Sequence, residues 1–149
     1  YLDLKPGAVN IGVAPSGKPL LDMPGQQLHF SLAHSHHQLM IAIARSPVGL
    51  DLETPRRVGN CLKIARRLFQ PRDIQLLEGV SEQLLQQTFF RLWTAYEASQ
   101  KMHGEGLFGS RTPASYRSSF MLDDGTIGAA CIDAHPAAAV EISCFRLDA

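Results

Sequence analysis

The chain has 149 residues, with 14 lysines and arginines against 14 aspartates and glutamates, so its formal net charge is zero. This length suits one domain, or one domain and a piece of another. With 45% hydrophobic and 19% charged residues the chain can bury a core, so it is not expected to be disordered. The balanced charge argues against a general nucleic-acid binder, and no apolar run approaches the length of a membrane span. Neither nucleic acid nor a membrane is therefore expected as a partner.

The three cysteines, Cys61, Cys131 and Cys144, lie far apart along the chain. An odd number at this spacing fits neither a disulfide framework nor a C-x-x-C metal site, and is typical of a reducing compartment. We therefore expect a cytoplasmic protein.

The residue pattern in the first half of the chain predicts β-strands. Prolines and glycines are dense over the first 27 residues, which predicts turns and short extended pieces. Two strands are predicted over residues 28–33 and 39–44, joined by a polar hairpin loop over 34–38. A third strand with strict alternation is predicted over 48–53.

The second half predicts helices followed by further strands. Apolar spacing, Ser81 as a cap and Gly104 as a stop define the helices, which are predicted over residues 58–69, 72–78 and 81–103. A glycine-containing loop is predicted over 104–113. The strands that follow are predicted over 116–122, 126–134 and 139–147, with a tight turn at 123–125 joining the first two. The predicted class is α+β.

The strand over 48–53 carries two carboxylates. Strand side chains alternate between faces, so Asp51 and Glu53 point to one side, and Val48, Leu50 and Leu52 point to the core. The simpler interpretation is a solvated outer face of an edge strand. The alternative is that something positive lies between the two carboxylates.

The long helix favours that alternative. At about 100° per residue, Glu97 falls close to Phe90 and Trp93, with Lys101 one turn later. A carboxylate among aromatic rings has a raised pKa unless a cation compensates, whereas the simpler alternative is a surface Glu97–Lys101 pair. Together with the strand pair, Glu97 would complete three hard oxygen ligands. Such a set suits Mg²⁺, which usually keeps waters and binds substrate phosphates.

Histidines and basic residues offer further candidate ligands. His34, His36 and His37 together allow a transition-metal site, a surface histidine loop, or a phosphate contact from His34 just past a strand end. Lys18 lies in a rigid Gly-Lys-Pro turn. Seven basic residues between 45 and 72 form a local patch suited to an acidic partner; they are Arg45, Arg56, Arg57, Lys63, Arg66, Arg67 and Arg72.

Four motifs occur in a characteristic order. They are Gly17-Lys18-Pro19, FSLAHS from Phe30 to Ser35, GLDLE from Gly49 to Glu53, and WTAYEASQK from Trp93 to Lys101. This order resembles the 4'-phosphopantetheinyl transferase superfamily in its surfactin-type branch, over about residues 18 to 106. The last two motifs are specific when they occur together.

The resemblance implies a reaction and a metal site. It implies transfer of 4'-phosphopantetheine from coenzyme A (CoA) to a serine of an acyl or peptidyl carrier protein, with release of 3',5'-ADP. Asp51, Glu53 and Glu97 would hold Mg²⁺, or Mn²⁺, with the CoA pyrophosphate. Glu97 would also act as base for the carrier serine, directly or through water, with Lys101 as the second catalytic residue.

The resemblance also implies binding residues for both substrates. CoA would be bound by Lys18 at its nucleotide end and, at its phosphates, by His34, Ser35 and Lys101. Because carrier proteins are usually acidic, the docking surface is expected on the basic patch, at Lys63, Arg66 and Arg67.

The resemblance also implies a domain organisation. Surfactin-type members have two similar halves related by a pseudo-twofold axis, with CoA in the cleft between them. Residues 1–47 would be a remnant of the N-terminal half. Residues 48–149 would be the complete C-terminal half, with an antiparallel sheet packed against the long helix. The chain begins with Tyr1, and a full-length protein is expected to be a pseudo-dimeric monomer.

Two departures from the family pattern leave a second function open. Tyr96 stands where the family has lysine, and Ala33 stands where it has serine. The alternative is a CoA- or carrier-binding module that has lost catalysis. A weaker alternative is a transition-metal protein that uses the histidine loop.

Overall fold

The computed structural model describes residues 2–104 and 116–133, and within them it contains antiparallel sheets and three α-helices. The predicted α+β class is therefore confirmed. The predicted strand over 139–147 and nearly all of the predicted loop over 104–113 lie outside the described residues. The boundary at residues 47/48 and the pseudo-twofold relation remain predictions.

The proline- and glycine-rich start forms short extended pieces, as predicted. A 3₁₀ turn at Pro6–Ala8 precedes an antiparallel hairpin of β1 (Ile11–Val13) and β2 (Pro19–Leu21). The connecting turn is closed by two backbone hydrogen bonds, from Ala14 N–H to the Lys18 carbonyl at 2.9 Å and from Gly17 N–H to the Ala14 carbonyl at 2.8 Å. Gly17 has φ of +85°, a backbone conformation that glycine adopts at no steric cost.

The next two strands are longer than predicted. β3 (His29–Ser35) and β4 (Gln38–Ala44) pair in antiparallel fashion, and only His36 and His37 remain for the turn. The predicted hairpin is confirmed, but its connecting turn is shorter than the predicted loop over 34–38. Strand geometry persists to Ser35 because its hydroxyl accepts a hydrogen bond from the Thr54 N–H at 3.0 Å, which holds it against the next strand.

A three-stranded antiparallel sheet lies at the centre of the fold. β5 (Val48–Glu53), β6 (Tyr116–Met121) and β7 (Ile127–Ile132) are arranged in the order β5-β7-β6. The predicted turn between β6 and β7 is confirmed: Gly125 has φ of +82°, and its N–H donates to the Leu122 carbonyl at 3.0 Å.

The helices are α1 (Cys61–Leu68), α2 (Pro71–Gly79) and α3 (Glu82–His103). α1 begins three residues later than predicted because the Gln86 side chain bonds both the N–H and the carbonyl of Val58, at 3.0 Å each. Ser81 lies at the predicted cap of α3, but its side chain makes no capping hydrogen bond. None of the helices in the described ranges is long and apolar enough to cross a membrane.

β5 is covered on both faces. The hairpin β3–β4 covers one face, where Ala33 packs with Leu50 and Leu52. α3 covers the other face, which holds Asp51, and Asp51 is only 4% exposed. The interpretation of a solvated outer face is therefore wrong.

Close approach of α3 to β5 depends on Gly49. A Cβ at this position would overlap the backbone carbonyl oxygen of Ala98 and the backbone nitrogen of Met102, both in α3. Small side chains continue the contact on α3 and β7, namely Ala95, Ala98 and Ala129. The absence of a side chain at residue 49 therefore sets the separation of helix and strand.

Replacing Gly49 tests this packing. Gly49→Ala must displace α3, because the overlapping atoms belong to its backbone, and we expect a loss of about 3 kcal/mol in the free energy of unfolding. The matched control is Gly59→Ala, where the added Cβ meets nothing within 4 Å and the change should stay within about 0.5 kcal/mol. Denaturant unfolding of the two variants measures the difference. Equal midpoints would show that α3 does not depend on Gly49.

Candidate metal and phosphate site

Three carboxylates from two elements converge next to the α3–β5 contact. Asp51 and Glu53 come from the α3-facing side of β5, and Glu97 comes from α3. One oxygen from each lies within 4.8 Å of the other two. In the described part of the chain no other group of three histidine, cysteine or acidic side chains converges in this way. The structure therefore brings all three predicted ligands together.

Asp51 is the most deeply buried of the three. Lys101 Nζ donates to its Oδ1 at 2.8 Å, while Oδ2 is buried and has no hydrogen-bond partner. Burial raises the pKa of Asp51, and Lys101 opposes that rise. Asp51 also interacts with the Glu97 carboxyl, so either a proton held between the two groups or a coordinated cation would satisfy the buried oxygen. The donor set, all hard carboxylate oxygens, fits Mg²⁺ or Mn²⁺.

Glu53 is oriented by two neighbours that sequence reasoning missed. Trp93 Nε1 donates to Oε1 at 3.2 Å, and Arg56 donates to Oε2 at 2.8 Å. The Arg56 guanidinium also lies over the Phe90 ring, 5.3 Å from its centroid. The i,i+3 spacing from Glu53 to Arg56 is a local signal that could have suggested the pair. The Trp93 contact joins residues 40 positions apart and has no local signal.

Of the three carboxyl groups, Glu97 has the pKa that departs most from its ordinary value. Desolvation by burial, followed by the negative charge of Asp51, raises the pKa of Glu97 to about 8, against an opposing effect of Lys101. Without a bound cation, Glu97 therefore takes up a proton more readily than an ordinary glutamate. A divalent cation shared by the three carboxylates would remove the need for that proton.

A cavity of about 250 Å³ adjoins Lys101. It lies between the β1–β2 turn, the outer face of β3 and the end of α3, and its lining includes Lys18, Phe30, Leu32, Lys101 and Gly104. Lys101 links the two features, since its ammonium contacts Asp51 and its side chain lines the cavity. The cavity can therefore accept an anionic group next to the carboxylates.

Lys18 lines the cavity, but its ammonium is held by protein groups. Nζ donates to the backbone carbonyls of Val48 at 3.1 Å and Met102 at 3.2 Å. Burial lowers the pKa of Lys18. Two of the three donors of the Lys18 ammonium are thus used within the fold, and its predicted contact with CoA remains a prediction.

His34 and Ser35 point to opposite faces of β3. His34 is exposed on the outer face, next along the strand from Leu32 of the cavity wall. Ser35 is on the inner face, and its hydroxyl is hydrogen-bonded to the Thr54 hydroxyl at 3.0 Å. His34 belongs to a strand rather than to a loop, and the convergent ligands in the described ranges include none of the three neighbouring histidines. The geometry therefore does not favour the transition-metal hypothesis.

The predicted carrier-docking residues lie on α1. Lys63, Arg66 and Arg67 are all exposed. Arg66 forms an ion pair with Glu78 of α2 at 2.7 Å, so part of its charge is already compensated.

The two departures from the family motifs have structural explanations. The Tyr96 ring joins an aromatic cluster, 5.9 Å from the Phe69 centroid and 6.3 Å from that of Trp93. Ala33 is 3% exposed and packs in the core with Leu50 and Leu52, where a small apolar side chain is suitable.

Comparison with known proteins assigns the family. The family model described as the 4'-phosphopantetheinyl transferase superfamily matches residues 47–138. The chain belongs to the 4'-phosphopantetheinyl transferase superfamily. The matched segment contains the three carboxylates and Lys101, and it begins after Lys18 and His34.

Relatives from several bacteria carry the name 4'-phosphopantetheinyl transferase. The chain is 34% identical to HetI of Nostoc sp. over 110 residues, which are 72% of this chain and 46% of HetI. It is 29% identical to a Bacillus subtilis 4'-phosphopantetheinyl transferase over 133 residues, which are 89% of this chain and 56% of that protein. It is 28% identical to Sfp of Bacillus subtilis strain 168 over 120 residues, which are 80% of this chain and 50% of Sfp. The chain therefore spans about half the length of these superfamily members.

Trp93 offers a direct measurement of metal binding, because it is the only tryptophan in the chain and contacts Glu53. Titration with Mg²⁺ or Mn²⁺ should change its fluorescence in a saturable way. Asp51→Asn should weaken the apparent affinity at least about tenfold. Asp22→Asn, an exposed acid elsewhere, should leave it unchanged. An emission that does not respond to either ion would contradict the metal site.

Glu97 predicts how stability depends on pH. In the folded, metal-free protein its pKa is raised to about 8 from an ordinary 4.5, so between these values the folded state binds more protons than the unfolded state. Stability of the metal-free protein should therefore fall as pH rises from about 4.5 to about 8.

The Glu97→Gln variant should lose most of this decrease in stability with rising pH. In the presence of a chelator at pH 8, its melting temperature should be roughly 3 °C above that of the parent. Glu82→Gln, an exposed glutamate at the start of the same helix, should keep the parent's profile. Thermal melts across this pH range make the comparison. A parent-like profile for Glu97→Gln would show that Glu97 is not the responsible group.

Proposed function

We propose that this chain transfers 4'-phosphopantetheine from CoA to a serine of an apo acyl or peptidyl carrier protein, in a Mg²⁺-dependent reaction that releases 3',5'-ADP. The observation that carries the proposal is the convergence of Asp51, Glu53 and Glu97 beside Lys101 and a cavity. Membership of the superfamily and the names of the longer relatives support it.

Asp51, Glu53 and Glu97 would hold the metal. The unpartnered Oδ2 of Asp51 supports this assignment, as do the hydrogen bonds from Trp93 and Arg56 that fix the orientation of Glu53. A bound Mg²⁺ or Mn²⁺ supplies charge neutralisation at the CoA pyrophosphate and so improves the leaving group.

The cavity next to Lys101 would hold one part of CoA. Lys101 contacts Asp51 and is one of the residues that line the cavity, so its ammonium would donate to a phosphate whose negative charge grows as the leaving group departs. Phe30 and Leu32 supply an apolar wall, and exposed His34 is the next residue on that face of β3. Ser35 as a CoA ligand remains a prediction, since its hydroxyl faces Thr54.

Glu97 would accept the hydroxyl proton of the carrier serine. The carrier serine oxygen forms a bond to the phosphorus that bears pantetheine, and the bond from that phosphorus to the oxygen of the departing 3',5'-ADP breaks. The serine proton passes to the Glu97 carboxylate, directly or through water.

Incubation with CoA, Mg²⁺ and an apo carrier protein tests the proposal by intact mass. We expect the carrier to gain the mass of phosphopantetheine and 3',5'-ADP to appear in equal amount. Glu97→Gln should lower the rate at least about a hundredfold, the usual contribution of a general base, while the protein stays folded. Glu82→Gln is the control and should react at the parent's rate. A Glu97→Gln variant that reacts normally would remove Glu97 from the mechanism.

The second candidate function is a CoA- or carrier-binding module without catalysis. Tyr96 in the aromatic cluster favours it, because no cation occupies the position where the family motif has lysine. Calorimetry with CoA separates the two functions. Binding of CoA that requires Mg²⁺, without transfer to a carrier, would support the module. Absence of both binding and transfer would contradict both candidates.

Carrier docking is proposed on the exposed basic face of α1. Reversal of exposed Lys63 to glutamate should raise KM for an acidic carrier several-fold and leave CoA affinity unchanged, because the cavity and the three carboxylates lie on other elements. Lys5→Glu, an exposed lysine on another element, is the control. Steady-state kinetics with varied carrier concentration measure the effect. An unaltered KM would place the docking surface elsewhere.

A further inference from the structure

Lys18 connects three elements that are distant in sequence. Its ammonium bridges the carbonyls of Val48 and Met102, which lie 30 and 84 residues further along the chain. Val48 begins β5 and Met102 lies in the last turn of α3, whereas Lys18 itself belongs to the turn between β1 and β2.

The Met102 carbonyl is a favourable acceptor for this charge. The last four carbonyls of a helix have no partner within the helix, and they carry the negative end of the helix dipole. The Gly104 N–H donates to the carbonyls of Gln100 and Lys101, and the Lys18 ammonium donates to the carbonyl of Met102. The Lys18 ammonium therefore provides a hydrogen bond to a carbonyl at the end of α3, and the same bond fixes the turn that follows Ala14.

This bridge borders the cavity. Lys18 and its neighbours Ser16 and Gly17 line it, as does Lys101, the residue before Met102. Two of the three ammonium donors are used by backbone carbonyls. The position of the turn relative to Lys101 thus depends on the Lys18 ammonium.

We propose that Lys18 is a positioning residue: its ammonium clamps the β1–β2 turn to the start of β5 and the end of α3, and so sets the width of the cavity without acting as a phosphate ligand. The choice of CoA as the ligand of the cavity rests on the proposed function. A clamp and a phosphate ligand predict different salt dependence, because loss of a charge that contacts phosphate weakens the dependence of affinity on ionic strength.

The experiment compares Lys18→Met with Lys5→Met, the same change at an exposed lysine. Calorimetry with CoA and Mg²⁺ is run at two ionic strengths, well below the melting temperatures. For Lys18→Met we expect a melting temperature lower by about 5 °C. We also expect about tenfold weaker CoA binding with the salt dependence of the parent, and kcat within about twofold at saturating CoA. Lys5→Met should match the parent in every measurement.

Lys101→Met shows what loss of a phosphate-contacting charge does to the salt dependence. If CoA affinity depended on ionic strength as weakly in Lys18→Met as in Lys101→Met, the proposal would be overturned. CoA affinity equal to that of the parent would also overturn it. Lys18→Gln, which loses the charge but keeps a donor, is the second variant if Lys18→Met does not fold, and the same salt criterion applies to it.

Hydrogen exchange separates this proposal from the proposed function. The Ala14 and Gly17 amides close the turn, so in Lys18→Met they should exchange at least about tenfold faster than in the parent. If the parent binds no CoA, the proposed function fails, and parent-like exchange in the variant would then overturn the clamp as well.

Discussion

The site depends on one packing contact, that of α3 against β5 at Gly49. Because residue 49 has no side chain, the helix backbone comes close enough to bury Asp51 and to bring Glu97 beside it. Burying carboxylates together is unfavourable unless cations compensate. Lys101 compensates one oxygen of Asp51, and Asp51 and Glu97 interact directly, so the packing that stabilises the core also brings together carboxylates whose repulsion a proton or a cation would reduce.

Local periodicity was sufficient to predict much of the site. Alternation along a strand places Asp51 and Glu53 on one face, and helical spacing places Lys101 one turn after Glu97. The same patterns gave the α+β class and most element boundaries. They could not show that the two faces meet, because that contact joins residues about fifty positions apart and requires a glycine whose role is invisible in a strand pattern.

The errors came from side chains that act over long sequence distances. Gln86 of α3 holds Val58 outside α1, and Thr54 holds Ser35 in a strand where polar residues suggested a loop. The resemblance implies a CoA contact for Lys18, which stays a prediction, but the sequence did not show where the Lys18 ammonium is bonded within the fold. The acceptors it uses are backbone carbonyls, which have no sequence signature.

The most direct test of the account is crystallographic. Crystals grown with Mn²⁺ should show an anomalous scattering peak bonded to one oxygen from each of Asp51, Glu53 and Glu97, with Asp51 Oδ2 among the ligands. Crystals of Asp51→Asn grown in the same way should lack the peak. A Mn²⁺ ion held at other residues, or no ion between these three carboxylates, would contradict the claim that the α3–β5 contact builds a divalent cation centre.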